Sequence, residues 1–524
     1  MKQYSAEQLN SMSREDLIRA LTDSQNANID LTNRLLLTEE KLKKALKKIF
    51  GASSEHVAKE MESPAEQLSF FANEAEMWAD ERKEEKKTIV AAHARKSERR
   101  ENLLDTLPEN TEVEVVEHRP EDQTCPNCGA DLVELGKEVR RTIVIIPAQV
   151  MIREDVFYNY KCNKCTTGDE NTVIVEAPKE ATVLPGSYAS PEAIAYIMSQ
   201  KFVMASPLYR IEQELKRQGV MLSRQTMSNW FLTSTTRWLE PLYDALKAEL
   251  LKQDVLHADE TELQVLHEPG KKPQTKSYMW LYRTSGCAEM PIVLYEYRAS
   301  RSAQHPKKFL EGFTGYLHAD GYAGYHALTN MTIVGCLAHA RRKFYDAQKI
   351  SADKTAESIA TEAVRRLDEI FDLDRSYSNL LYEERYNKRL EEVYPRLQDL
   401  LTWLEGCNLA PKFALGTALK YLKDQWQYLI NIFKDGRLEL TNNRAERSIK
   451  PFVIGRKNWL FANTTDGAQS SAIVYSIIET AKENGLDPYR YLLYIFREAP
   501  KLAAEREDWV DEFLPSKAPE ECKV

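Results

Sequence analysis

Three acidic residues, Asp259, Asp320 and Glu446, stand where converging carboxylates would bind a metal ion. Mg²⁺ suits such a site, because it takes a few carboxylates and completes its octahedron with water and phosphate oxygens. Two such ions about 3.5–4 Å apart would activate a water molecule or a 3′-hydroxyl and stabilise the leaving oxygen of a phosphodiester. Each acid also has a structural explanation. Glu446 could be a capping-box glutamate, Asp259 one of several clustered acids, and Asp320 part of a turn.

Two C-x-x-C pairs suit a different metal, Zn²⁺. Cys125 and Cys128 form the first pair, and Cys162 and Cys165 form the second. The spacing lets two thiolates from one tight turn reach an ion about 2.3 Å away, and two such turns close a structural tetrahedral site. Strand-like stretches between the pairs would return the second pair to the first, which predicts a zinc-ribbon-like module. A redox pair and chance pairing are the alternatives, although a redox motif needs only one pair.

A separate Cys336-x-x-His339 element offers only two ligands, which do not close a metal site. The sequence favours a strand end followed by a helix-capping histidine. Basic residues near this element and after Glu446 fit phosphate contacts, which position DNA without reading its sequence. They are Arg341, Arg342, Lys343, Arg444, Arg447, Lys450, Arg456 and Lys457. Trp459 either stacks on an extruded base or fills the core, and core packing is favoured.

The elements that must position the three acids lie between residues 254 and 349. Three predicted strands come first, then a helix at 302–310, two more strands and a basic helix from His339. This order is typical of an α/β domain with a mixed sheet and matches a ribonuclease-H-like fold. In that fold the first and fourth strands are neighbours, so the two aspartates would converge. Asn443 and Glu446 form an N-cap pair that starts the helix bringing the third acid.

Residues 206–231 have helix-ending and helix-capping residues at the spacing of a helix-turn-helix. An amphipathic helix is closed by Gly219, and Ser223 suits the N-cap of a second helix. A generic helical hairpin is the alternative. In a DNA-binding version, the second helix would present four side chains to the major groove, namely Arg224, Gln225, Ser228 and Asn229.

Residues 12–50 carry a heptad pattern with Asn28 at an a position, which predicts a dimerising coiled coil. The alternative is a single amphipathic helix packed on its own chain. Residues 55–85 hold ten acidic and three basic residues, which is typical of a solvated linker. Residues 351–435 are helical in pattern and are predicted to be an insertion into the α/β domain.

At this point the sequence resembles the IS66 family of bacterial insertion-sequence transposases. The matching stretches are His257-Ala-Asp-Glu-Thr, His318-Ala-Asp-Gly-Tyr-Ala-Gly-Tyr, Cys336-Leu-Ala-His-Ala-Arg-Arg-Lys-Phe and the segment 441–461 that begins Thr-Asn-Asn-Arg-Ala-Glu. The resemblance covers nearly the whole chain. It implies a DDE catalytic triad of Asp259, Asp320 and Glu446, with Mg²⁺ or Mn²⁺ as the metal.

The combined prediction is a multidomain α+β transposase that binds element ends and joins a freed 3′-hydroxyl to target DNA. Its partners would be the terminal inverted repeats and target DNA, a homodimer or higher oligomer, and small accessory proteins of the same element. The alternatives are a zinc-containing DNA-binding protein with an inert nuclease-like domain and a metal-dependent nuclease without joining activity. The predicted domains are 1–50 coiled coil, 51–110 linker, 111–178 zinc module, 179–250 helix-turn-helix region, 251–350 and 436–471 catalytic core, 351–435 helical insertion, and 472–524 C-terminal helices and acidic tail.

Composition bounds these predictions. The chain has 524 residues, of which 43% are hydrophobic and 29% charged, so collagen-like, disordered and disulfide-dense classes are excluded. Neither a run of about 18 apolar residues nor a secretory signal pattern is present, so a cytoplasmic, nucleoid-associated protein without a membrane partner is expected. A net charge of −9 argues against DNA binding until it is resolved by region. The segments assigned to DNA are locally basic, and the acidic surplus lies in the linker, insertion and tail.

Overall fold

The fold is described from a computed structural model, which covers residues 149–161, 174–350, 358–407 and 409–524 together with Ser13, Asp16 and Thr38. The chain divides into two compact units, Ala52–Met151 and the rest. The second unit holds every element below. The predicted linker at 51–110, the four zinc-module cysteines and all but three residues of the predicted coiled coil lie outside the described residues.

A mixed six-stranded sheet organises this unit, with the strand order β5-β4-β3-β6-β7 and with β8 paired to β3. β4 runs antiparallel to both β3 and β5, whereas β3, β6 and β7 are parallel to one another. The mixed α/β architecture is therefore confirmed. The strands of the sheet are β3 (Val255–His267), β4 (Lys276–Thr284), β5 (Val293–Arg298), β6 (Tyr316–Ala319), β7 (Thr332–Gly335) and β8 (Ala462–Thr464), and a separate hairpin is formed by β1 (Asn159–Lys161) and β2 (Ile174–Glu176).

Within the described residues four helices precede the sheet, in the helical region predicted at 179–250, and the second and third of them correspond to the predicted helix-turn-helix. Ser190 caps the first through a 3.1 Å bond to the Ala193 amide, and Ser223 caps the third through a 3.1 Å bond to the Thr226 amide. Gly219 has a φ of +83°, which glycine adopts readily in the turn after the second helix. The helices are α1 (Pro191–Met198), α2 (Leu208–Arg217), α3 (Arg224–Ser234) and α4 (Glu240–Leu251).

A shared apolar cluster holds these first helices together. Ile197 of α1, Ile211 and Leu215 of α2, and Met227 of α3 are all buried in it. The sequence prediction of two helices joined by a glycine-containing turn is therefore matched in outline. The cluster leaves the polar side of α3 toward solvent, because Arg224, Gln225 and Asn229 are exposed.

Two short helices lie among the strands, and α7 follows the last of the parallel strands. They are α5 (Gln304–Phe309), α6 (Ala323–His326) and α7 (Leu337–Ile350). The basic helix thus begins at Leu337, two residues before the predicted start at His339. Both β7 and α7 contribute apolar side chains to a buried cluster that continues into the next four helices.

Those four helices are the predicted insertion, and they do not form an independent core. Val334 of β7 and Phe344 of α7 share one buried cluster with Leu367, Leu400 and Leu422 of the insertion. The insertion therefore packs directly beside the β7 edge of the sheet. Its helices are α8 (Ile359–Ser376), α9 (Tyr382–Lys388), α10 (Tyr394–Gly406) and α11 (Ala414–Leu429).

Three helices complete the unit: α12 (Asn443–Trp459), α13 (Thr465–Glu483) and α14 (Pro488–Glu505). α13 covers the β5 edge of the sheet through hydroxyl groups. Ser476 Oγ accepts a bond from the Tyr295 amide at 2.7 Å, and Thr480 Oγ1 lies 3.0 Å from both the amide and the carbonyl of Val293. These bonds satisfy backbone groups that an open edge strand would leave unpaired.

The predicted start of α12 needs a correction. The sequence pattern assigns the N-cap to Asn443, but that residue is the first residue of the helix and Asn442 holds the cap position. Neither a side-chain capping bond nor a capping box forms there, so Glu446 is not a capping-box glutamate. Across the described part of the chain, no helix combines the length and apolarity needed to cross a membrane.

Candidate active site

Strand register brings the two predicted catalytic aspartates side by side. β3 pairs with β6 so that Val255 lies opposite Tyr316 and His257 lies opposite His318. The same offset places Asp259 opposite Asp320, which directly follows β6. Parallel neighbours are about 4.8 Å apart, so two carboxylates at matched positions lie close together. Both side chains are partly buried.

A pair of buried histidines lies two residues before the aspartates. The rings of His257 and His318 stack with centroids 4.3 Å apart and planes 12° apart, and neither residue is exposed. Because side chains two residues apart share one face of a strand, these rings and the aspartates line the same face. Burial lowers the pKa of His257 to about 3, so its ring is neutral at physiological pH.

Asn442 connects this face to helix α12. Its amide nitrogen donates to the Ala258 carbonyl at 2.8 Å, and its side-chain oxygen lies 3.0 Å from His257 Nδ1. An amide oxygen can only accept, so His257 Nδ1 carries the proton. At the other end of α12, the Arg456 guanidinium donates to Thr261 Oγ1 at 3.2 Å. The helix is thereby fixed along β3 with Glu446 in its first turn.

Glu446 lies against the N-terminal part of α7. Its Oε1 is 3.8 Å from His339 Nε2, and its Oε2 is 3.9 Å from a guanidinium nitrogen of Arg342. The Glu446 side chain is 14% exposed, and its Oε1 is a buried atom without a hydrogen-bond partner. Potential ligand atoms of Cys336, His339 and Glu446 all lie within 4.8 Å of one another.

The pKa values indicate excess negative charge in the site. Burial and the charges of three neighbouring carboxylates raise the pKa of Asp259 well above its usual range; the neighbours are Glu260, Glu446 and Asp320. Burial and Asp320 also raise the pKa of Glu260 to about 7. Both other predicted triad members, Asp320 and Glu446, therefore lie close enough to act electrostatically on Asp259.

Glu260 is a further acid of the site. Its Oε1 accepts bonds from Nε and a terminal nitrogen of Arg301 at 2.8 and 2.5 Å, and its Oε2 accepts from the Tyr325 hydroxyl at 2.5 Å. These bonds pair Glu260 with the guanidinium of Arg301. The carboxylates of Asp259, Asp320 and Glu446 suit a hard cation, because Mg²⁺ prefers oxygen ligands.

The helical insertion reaches the edge of this site. A side chain added at Gly321, the residue after Asp320, would meet the Tyr421 hydroxyl of α11 at 2.7 Å. Glycine therefore leaves room for the Tyr421 side chain, which would have to move if this residue were larger. Burial and the nearby Cys336 raise the pKa of Tyr421 above its usual value, so the phenol stays protonated.

The residues predicted to contact DNA differ in accessibility. Exposed side chains are Arg224, Gln225, Asn229, Lys343, Arg447 and Lys457, whereas the partly buried ones are Ser228, Arg341, Arg342, Arg444, Lys450 and Arg456. Three of the partly buried arginines lie next to acids within the chain, and Arg342 is the one 3.9 Å from Glu446. Arg341 pairs with Asp368 of α8, and Arg444 Nε donates to Glu439 at 2.8 Å. Trp459 packs edge to face on Phe452, as the core interpretation expects.

Sequence reasoning missed four residues of the site: Glu260, Asn442, His257 and His318. A signal for the histidines was present, because His-Ala-Asp occurs at both aspartates and places histidine and aspartate on one face of each strand. No comparable local signal identifies Asn442, whose partners lie about 185 positions earlier in the chain.

Four family models match successive parts of the chain. Residues 186–470 match a model described as transposase IS66 family, and residues 122–166 match the zinc-finger binding domain of transposase IS66. Residues 476–516 match the IS66 C-terminal element, and residues 37–111 match a model described as transposase C of IS166 homeodomain.

Two similar proteins come from Sinorhizobium fredii. Uncharacterized protein y4hP is 30% identical over 488 residues, which cover 87% of this chain and 85% of that protein. Uncharacterized protein y4jD is 32% identical over 389 residues, covering 71% and 74% of the two chains. The sheet, the acidic site and the matched models together define a transposase. The chain belongs to the IS66 family of transposases.

Proposed function

We propose that this transposase cuts and joins DNA with a DDE triad of Asp259, Asp320 and Glu446. The observation that carries the proposal is the position of Asp259 and Asp320 at matched places on the neighbouring strands β3 and β6, with Asp320 and Glu446 of α12 both raising the pKa of Asp259. The strand order β5-β4-β3-β6-β7, with β4 antiparallel to both β3 and β5, is the order expected of a ribonuclease-H-like core. That fold is part of the proposal.

The three carboxylates would hold Mg²⁺ or Mn²⁺. Such ions activate a water molecule or a 3′-hydroxyl and stabilise the leaving oxygen of a phosphodiester. The protein's own contribution is to fix the carboxylates before DNA arrives. Asn442 anchors α12 to β3, and Arg301 pairs with Glu260, so Glu260 is held apart from the triad acids by its own cation.

DNA would be held by the helical region and the basic residues around the site. The exposed side of α3 presents Arg224, Gln225 and Asn229, while Lys343 and Arg447 lie on helices α7 and α12 that flank the acids. The four cysteines Cys125, Cys128, Cys162 and Cys165 would hold a structural Zn²⁺. Oligomerisation through the N-terminal heptads and help from accessory proteins complete the proposal.

Joining activity separates this proposal from its two rivals. The full chain would be incubated with Mg²⁺, labelled DNA carrying both ends of the encoding element, and an unlabelled target plasmid. A transposase yields free 3′-hydroxyl ends and labelled target. Cleavage without labelled target would identify a plain nuclease, and binding without cleavage would identify a DNA-binding protein with an inert domain.

A further inference from the structure

Glu446 has one side-chain oxygen that no donor among the described residues satisfies. Oε1 is buried, accepts no hydrogen bond, and faces His339 rather than a side-chain donor at bonding distance. A buried carboxylate oxygen without a partner costs free energy unless a cation or proton occupies the space in front of it. The side chains that line the space in front of Glu446 Oε1 therefore determine whether a proton or a cation binds there.

Those groups are Cys336 and His339, which reach the space from one end of α7. Cys336 immediately precedes the helix and His339 is its third residue, so the three-residue spacing places both on one side of the first turn. Cys336 is 3% exposed. His339 Nδ1 is another buried nitrogen without a hydrogen-bond partner.

We propose that Cys336, His339 and Glu446 form a second metal site, specific for a thiophilic divalent ion such as Zn²⁺. One thiolate, one imidazole and one carboxylate form a ligand set that suits Zn²⁺, whereas a thiolate disfavours Mg²⁺. Three protein ligands leave a fourth position for water. The ion would connect the start of α7 to the first turn of α12.

The distances fit this ion after a small movement. Tetrahedral Zn²⁺ with ordinary bond lengths separates a nitrogen and an oxygen ligand by about 3.4 Å. His339 Nε2 and Glu446 Oε1 are 3.8 Å apart, and all three ligand atoms lie within 4.8 Å of one another. A side-chain movement of about half an ångström brings the nitrogen and the oxygen to this separation.

Charge and hydrogen bonding support the same assignment. A thiolate and a carboxylate together balance the charge of a divalent ion. The backbone amide of Asn442 already donates to Cys336 Sγ at 3.2 Å, which is the kind of outer contact that stabilises a thiolate ligand.

Cobalt absorption tests this site on the full chain. Co²⁺ would be titrated into metal-depleted protein with excess Mg²⁺ present, and thiolate-to-cobalt charge transfer would be recorded. At saturation, the charge-transfer band of wild type should correspond to one more thiolate-bound Co²⁺ per chain than the band of Cys336→Ser. Cys287→Ser, which removes another free thiol, should keep the wild-type band.

His339→Gln keeps the Cys336 thiol, so it provides a second test of the site if Cys336→Ser does not fold. It should weaken Co²⁺ binding at least about tenfold while circular dichroism stays unchanged. Equal bands in wild type and Cys336→Ser, or unchanged affinity in His339→Gln, would overturn the proposal. The assay contains no DNA, so its outcome is independent of whether the chain cleaves and joins strands.

Discussion

Replacing Asn442 by alanine should destabilise the fold far more than the same change at Asn443. Asn442 is 1% exposed, and its side chain bonds both the Ala258 carbonyl and His257 Nδ1. Removing it leaves a buried donor and a buried acceptor unsatisfied, each at a cost of about 1–3 kcal/mol. A carbonyl retains a second lone pair, so we expect a total loss of about 2–4 kcal/mol.

The neighbouring asparagine supplies the control. Asn443 is partly exposed at the first position of α12, where alanine is well tolerated, so its replacement should cost less than about 1 kcal/mol. Urea unfolding followed by tryptophan fluorescence measures both losses. Equal losses, or a larger one for Asn443→Ala, would contradict the bridging role of Asn442 and restore the sequence-based cap assignment.

Three other perturbations test the packing around the sheet. Thr480→Val keeps the side-chain shape but removes the hydroxyl bound to β5, and urea unfolding should show a loss of about 1–3 kcal/mol. Arg389 is 1% exposed and binds Asp374 at 2.6 Å, so Arg389→Ala should cost about 3–5 kcal/mol by calorimetry, and an unchanged melting temperature would refute this. Burial alone would raise the pKa of Glu192, but a hydrogen bond from Arg497 lowers it from 4.5 to about 2. The stabilisation by ionised Glu192 is therefore present above pH 4.5 and lost as pH falls through 2. The difference in free energy of unfolding between wild type and Glu192→Gln should narrow as pH falls over that range. A difference that widens would contradict the lowered pKa.

The order of strands and helices could be predicted because it depends on local patterns. Two-residue periodicity and turn residues mark the strands, and the glycine and serine around the turn at 219–223 mark helix ends. The pairing of Asp259 with Asp320 followed from that order together with the fold it suggested. These features need no knowledge of distant contacts.

The remaining features depend on tertiary contacts. Asn442 and Asn443 are chemically identical neighbours, and only the position of β3 determines which one is buried. Cys336 and His339 supply two ligands in sequence, and the third group, Glu446, arrives from a segment more than 100 residues away. A local sequence pattern cannot predict a contact between segments so far apart, so the sequence favoured a capping histidine at His339.

The most direct test of the central claim is strand cleavage and joining by three isosteric variants. Asp259→Asn, Asp320→Asn and Glu446→Gln should each lower Mg²⁺-dependent release and joining of element ends at least about a hundredfold, while affinity for the same DNA measured in Ca²⁺ is retained. Glu262→Gln is the matched control, because Glu262 lies on β3 but pairs with Lys276 at 2.7 Å outside the acidic cluster. Near-wild-type joining by any of the three variants would contradict the proposed triad.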